Sequence, residues 1–246
     1  EGGKVEVVPF PSEPKIVEVL PGGGNQVSPD GSTLLFVAYR EGTDLLEIGI
    51  WTISLQGGKP REVTLEFVDK SRYREIRHAC WFSNGETIGF LETEERSPGN
   101  WVHNICVVSA DGGEVRQLTD AEDRVAYEAF APSPDGEWVA YVSTEKDLRL
   151  FPLRGGEGRV VTRVESTHFH RELSWSPDAT EIAYTERGRI MIAPVNGGEP
   201  REVQTGVLDG KAKNFHLDWS PDGKRLAFSA QLGGEPEFWF IEDFLP

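Results

Sequence analysis

One unit recurs five times along this chain, and that repetition restricts its possible folds more than any other feature of the sequence. The unit reads as an aromatic residue, Ser-Pro-Asp-Gly, a short apolar strand, a second apolar strand, Gly-Gly, and a strand of the type Pro-Arg-Glu-Val. The clearest copy runs Leu173-Ser174-Trp175-Ser176-Pro177-Asp178-Ala179, Ile182-Ala183-Tyr184, Ile190-Met191-Ile192, Gly197-Gly198 and Pro200-Arg201-Glu202-Val203. Others begin at Ser28-Pro29-Asp30-Gly31, Ser133-Pro134-Asp135-Gly136 and Ser220-Pro221-Asp222-Gly223, and a degenerate one at Ser83-Asn84-Gly85. The motif serines stand at 28, 83, 133, 176 and 220, so successive copies are 55, 50, 43 and 44 residues apart. A period in the forties built from strand-length apolar segments is the size of a four-stranded propeller blade. The turn chemistry agrees. Pro pre-sets φ at the second turn position, Asp bonds back to the local backbone, and Gly takes the positive-φ place.

These residues resemble the TolB-like β-propeller repeat, with its Pro-Asp core, over nearly the whole chain. The expected fold is all-β: one propeller domain over residues 1–246, made of four-stranded antiparallel blades. Strands a to d run outward in each blade, with Ser-Pro-Asp-Gly joining a to b and Gly-Gly joining c to d. The last copy has a, b and a c strand at Glu237–Ile241 but no d strand. Glu13-Pro14-Lys15-Ile16-Val17 matches the d-strand pattern, so a strand over about 13–18 is expected to complete the last blade and leave no open edge. That gives five blades. Six, the usual number in the family, is the alternative, and Lys4–Pro9, which resembles a c strand, points that way.

The composition is consistent with such a domain. Hydrophobic residues make up 38% and aromatic residues 10% of the chain, with Trp 7 and Phe 13, which suits strands and a packed core. Gly 27 and Pro 16 supply the turns. No apolar run approaches a membrane span. The net charge of −16 excludes nucleic acid as a partner, because a phosphate binder needs a basic face. The same charge opposes an anionic membrane surface, and a monomer is expected. Cys80 falls on strand a and Cys106 on strand c of one blade. With strand b between them their Cα atoms are ~9–10 Å apart, too far for a disulfide, so two free buried thiols are expected.

Strand alternation puts the short a–b and c–d turns at one end of every blade and the longer b–c and d–a connections at the other. Binding residues sit preferentially on loops held by a rigid scaffold, so the second face is the expected ligand face. All five histidines map there: His78, His168, His170 and His216 near the start of strand a, and His103 at the end of a b–c loop. Beside them lie Arg77, Tyr127 and Trp101, the last within a long Glu92–His103 loop. Aromatic residues with arginines are typical of a protein or carbohydrate contact patch. His168 and His170, at i and i+2, share one side of a strand with Glu172, and the three could hold a divalent metal. The plainer reading is of solvated polar side chains and no cofactor. Trp81, Trp175 and Trp219 read as core.

No Gly-x-Ser-x-Gly elbow appears, so no fused serine hydrolase is visible and the prolyl-oligopeptidase type is set aside. No P-loop, dinucleotide fingerprint, Cys-x-x-Cys pair or His-Glu-x-x-His helix occurs. The resemblance implies a non-catalytic recognition module that docks a protein, peptide, carbohydrate or small molecule, in the periplasm or outside the cell. The alternative is a metal-dependent lyase of the oligogalacturonate type. That family is built on similar repeats and holds its metal with histidines.

Overall fold

A computed structural model describes residues 15–20, 25–41, 46–67, 74–120, 123, 125–165, 173–205, 213–231 and 236–242. The chain forms two compact units, 1–117 and 118–246. Among the described residues every regular element is a strand.

In the first unit, β1 (Ile16–Val19), β2 (Gln26–Val27), β3 (Thr33–Glu41), β4 (Leu46–Ser54) and β5 (Arg61–Glu62) make one sheet. β3 and β4 pair without interruption from Thr33↔Ser54 to Glu41↔Leu46. Both β1 and β2 lie along the inner edge of β3, pairing with Ala38–Arg40 and Leu34–Leu35. This corrects the expected seam, because Ile16–Val19 completes the first sheet and not the last. The reason is packing: Ile16 and Val19 pack on Phe36, Ala38, Trp51 and Ile53, and the Leu20 N–H bonds the Val37 carbonyl at 2.9 Å. Lys15 closes the contact with a 2.6 Å ion pair to Glu41.

Next come β6 (Leu65–Glu66), β7 (Arg74–Trp81), β8 (Thr87–Ser97), β9 (Asn100–Ser109), β10 (Gly113–Glu114) and β11 (Arg116–Gln117). β7, β8, β9 and β11 form a four-stranded sheet in that order, while β6 and β10 form a short parallel pair. Leu35, Val37 and Ile50 of the first sheet pack on Trp81, Ile88 and Phe90 of the second in one buried cluster. Cys80 on β7 and Cys106 on β9 are free and buried, with β8 between them. Burial raises the Cys80 thiol to about 12, so it stays protonated and inert.

The second unit repeats the plan. β12 (Val125–Pro132), β13 (Trp138–Ser143), β14 (Asp147–Pro152) and β15 (Arg159–Arg163) form one four-stranded sheet. β16 (Leu173–Trp175), β17 (Glu181–Glu186), β18 (Arg189–Pro194) and β19 (Arg201–Val203) form the next. β20 (Lys213–Trp219), β21 (Arg225–Gln231) and β22 (Pro236–Glu242) form a sheet with three strands among the described residues. Trp175 and Trp219, like Trp81, are 6–7% exposed and lie in the clusters between sheets.

Each Ser-Pro-Asp turn works as a small hydrogen-bond hub. The hydroxyls of Ser28, Ser133, Ser176 and Ser220 each donate to the Asp two residues on. Each hydroxyl also accepts from the backbone N–H five residues on, at 2.9 Å in every copy. The Ser and backbone donors hold the carboxyls of Asp30, Asp178 and Asp222 below the usual range, so the turns keep their charge. Neighbouring turns also touch: a Cβ on Gly85 would lie 3.9 Å from Pro29, and one on Gly223 3.7 Å from Pro177.

The Arg of the outer strand has a role the sequence did not disclose. Arg61 Nη2 donates to the Ala110 carbonyl at 2.8 Å, and Arg159 Nη1 to the Val195 carbonyl at 2.7 Å. Both acceptors stand where the c–d turn of the following sheet begins. Each guanidinium therefore ties one sheet to the next through backbone that any sequence could offer.

Candidate functional site

The expected long loop at 92–103 is a β-hairpin. β8 and β9 pair as far as Ser97↔Asn100 and close on Gly99, whose φ is 78°. They span 11 and 10 residues, against 6 and 6 for β13 and β14. The hairpin therefore runs several residues further in the direction away from the Ser-Asn-Gly turn. Arg77, His78, His103 and His216, expected in or beside connections, all lie inside strands.

Register sorts the hairpin into two faces. On one, Glu75 pairs with Thr93 and Thr93 with His103, forming a polar row across three strands. The His103 Nδ1 lies 3.0 Å from the Thr93 hydroxyl, and partial burial lowers the affinity of its ring for a proton. Arg77 follows on β7, with its Nε and Nη2 on the Glu75 carboxylate at 3.1 and 2.5 Å. Glu95 and Trp101 face each other toward the tip, where Trp101 is 43% exposed. Arg77, His103 and Trp101 are thus brought to one side of one sheet. Glu75 and Thr93, which hold Arg77 and His103 in place, were missed. The signal for them is the period-2 alternation from Ile88 to Glu95.

The other face is unusual. It continues the core positions Ile88 and Phe90 with Glu92 and Glu94, which are 2% and 3% exposed. Asn104, directly across from Glu92, is fully buried. The Cys106 thiol donates to the Glu92 carboxylate at 3.5 Å. Among the described residues, neither the Nδ2 nor the Oδ1 of Asn104 has a hydrogen-bond partner.

His78 stands at the register break between Arg77 and Ala79 with φ 36°, a left-handed conformation uncommon outside glycine. His216, in the other unit, is exposed on β20 opposite Ser229. Tyr127 falls on β12, but its side chain lies outside the described residues, as do His168, His170 and Glu172 entirely. Among the described residues no three His, Cys, Asp or Glu side chains gather as a metal-binding group.

These sheets define an all-β chain of repeated antiparallel blades, and the comparisons with known proteins agree. No family model matches the sequence. The Bacillus subtilis protein YuxL, described as an uncharacterised peptidase, is 28% identical over 218 residues, which is 84% of this chain and 29% of that protein. A TolB candidate from Agrobacterium tumefaciens superposes with a TM-score of 0.60 at 16% identity, covering 90% of this chain and 76% of the other. An oligogalacturonate lyase in complex with manganese superposes with a TM-score of 0.59 at 13% identity, over 88% and 63%. The fold is that of the TolB-like β-propellers. Identities this low carry the fold alone, so no lyase activity transfers with it.

Proposed function

We propose that this chain is a recognition module of five blades that docks a partner protein or peptide through the projecting hairpin of its second blade. The observation that supports this reading is Trp101, 43% exposed on a hairpin longer than the two that follow it, above a side-chain row held by Thr93–His103 and Arg77–Glu75 contacts. An exposed Trp on a rigid support presents a large contact area and loses little entropy on binding, which is the composition of an interface hot spot. A periplasmic or secreted monomer is the form this reading expects. The test is site-specific photocrosslinking from position 101, with Val17 and Val160, 50% and 48% exposed, as controls. Trp101→Ala should weaken capture of the crosslinked partner about tenfold or more without changing the melting temperature. An equal loss from Val160→Ala, or none from Trp101→Ala, would sink the reading.

A second reading places this module inside a longer peptidase-like protein. It is supported by the YuxL match, which spans most of this chain but only 29% of the peptidase. The missing nucleophile elbow excludes a fused hydrolase only within residues 1–246. The native mass decides between the readings, by immunoblot of the source cells. A species near 27.4 kDa would rule the longer protein out, and one larger by a whole domain would support it.

A further inference from the structure

The last sheet carries a second candidate site, in the other unit from Trp101. Alternation along β20 and β21 sends Leu217, Trp219, Leu226 and Phe228 into the core with Ile190, Ile192 and Val203. The opposite face carries His216, Asp218 and Ala227, all exposed, with Ser229 paired to His216 and Ala227 to Asp218. A cavity of about 430 Å³ opens on this sheet, bounded by these four residues and by Leu217, Phe228 and Trp239. The rings of Phe228 and Trp239 stack at 5.5 Å.

That volume lies within the range of small-molecule sites, and its make-up matches them: a mostly apolar wall with a few polar groups gathered together. The polar groups fix the class of ligand. Asp218 supplies a carboxylate, and the Ser174 hydroxyl orients it with a 3.0 Å bond to Oδ1. A carboxylate offers about four acceptor positions, so one such bond leaves room for a ligand donor. Among the described residues neither Lys nor Arg borders the cavity, and the chain as a whole carries −16. An anion would therefore meet repulsion here, and a cation attraction.

We propose that this cavity binds a small ligand with a ring-sized apolar body and one protonated amine, the amine on Asp218 and the body over Ala227, which pairs with it on the same face. The site is separate from the docking hairpin and stands without it. Three probes of one shape test it by calorimetry and ligand-observed NMR: 2-phenylethylamine, 2-phenylethanol and phenylacetate. The amine is expected to bind with Kd of about 1 mM and phenylacetate at least about tenfold more weakly. Asp218→Asn should weaken the amine about tenfold and leave the alcohol unchanged, since a charged partner is lost and the shape is kept. Ala227→Phe, an exposed position that can take a larger side chain, should block both. Equal binding of amine and acid, no effect of Asp218→Asn on the amine, or no binding of the amine would each overturn the proposal. Trp101→Ala should change none of these affinities, so failure here is distinct from failure of the docking reading.

Discussion

Gly112→Ala is expected to cost about 3 kcal/mol of stability, while Gly57→Ala and Gly197→Ala, at the same place in their own repeats, cost about 1–2. All three residues have nearly the same backbone, with φ of 90°, 89° and 93°. An L-residue there pays the same left-handed strain in each. Only the surroundings differ. A Cβ at Gly57 or Gly197 would meet nothing within 4 Å. One at Gly112 would lie 2.9 Å from the Thr64 nitrogen and 3.0 Å from its carbonyl oxygen. Those atoms are backbone and cannot swing aside. Moving them strains the adjoining bonds from Gly113 N to the Thr64 carbonyl and from Val115 N to the Glu66 carbonyl, at 2.9 and 3.0 Å. Each such bond is worth roughly 0.5–1.5 kcal/mol net. Urea or thermal denaturation of the three variants measures the difference, expected at about 2–8 °C in melting temperature between Gly112→Ala and Gly197→Ala. Equal costs would mean that the two backbones part without penalty.

Gly112 also shows what the sequence could and could not disclose. All the Gly-Gly turns look alike in sequence, and so does their φ. What distinguishes Gly112 is the short strand Leu65–Glu66, which brings foreign backbone against the turn. The Ser-Pro-Asp turn, by contrast, was fully legible, because the bonds of its serine run between residues at most five apart. The strand order was legible enough to predict two free cysteines. Placement of Ile16–Val19 was not. Its Pro-Lys-Ile-Val pattern suits any outer strand, and the choice was made by burial of Ile16 and Val19 on Phe36 and Trp51, a non-local contact.

The hairpin failed for a related reason. Glu92-Thr93-Glu94-Glu95 is polar enough to end an apolar strand in any sequence reading, yet the first three are 2–5% exposed. Alternation survives in this stretch while hydrophobicity does not, and pairing with Val102, His103 and Asn104 keeps the strand going. The buried carboxylate is not itself the departure, because Glu186 stands buried at the equivalent place of a later copy. The departure is that the strand continues past it through Thr93 and Glu94 to the tip where the proposed docking side chain stands.

Asn104→Val is the sharper probe of that departure, and the variant is expected to be more stable than the parent by about 1–2 kcal/mol. Asn104 is fully buried, and both polar atoms of its amide are without a partner among the described residues. A buried donor or acceptor left so costs roughly 1–3 kcal/mol, and an apolar side chain of similar size removes that cost. Valine also suits a strand interior better than asparagine. Partial overpacking beside Glu92 reduces the gain, which is why the expectation sits at the lower end. Chemical denaturation of the two proteins, compared at equal slope, gives the number. A rise in stability would mean that the parent carries a destabilising amide at the foot of the Trp101 hairpin, the usual mark of a group kept for recognition and not for folding. In that case Asn104→Val should weaken partner capture while raising the melting temperature. A fall in stability would mean that water enters and satisfies the amide, so that Asn104 belongs to the scaffold and the docking reading rests on Trp101 alone.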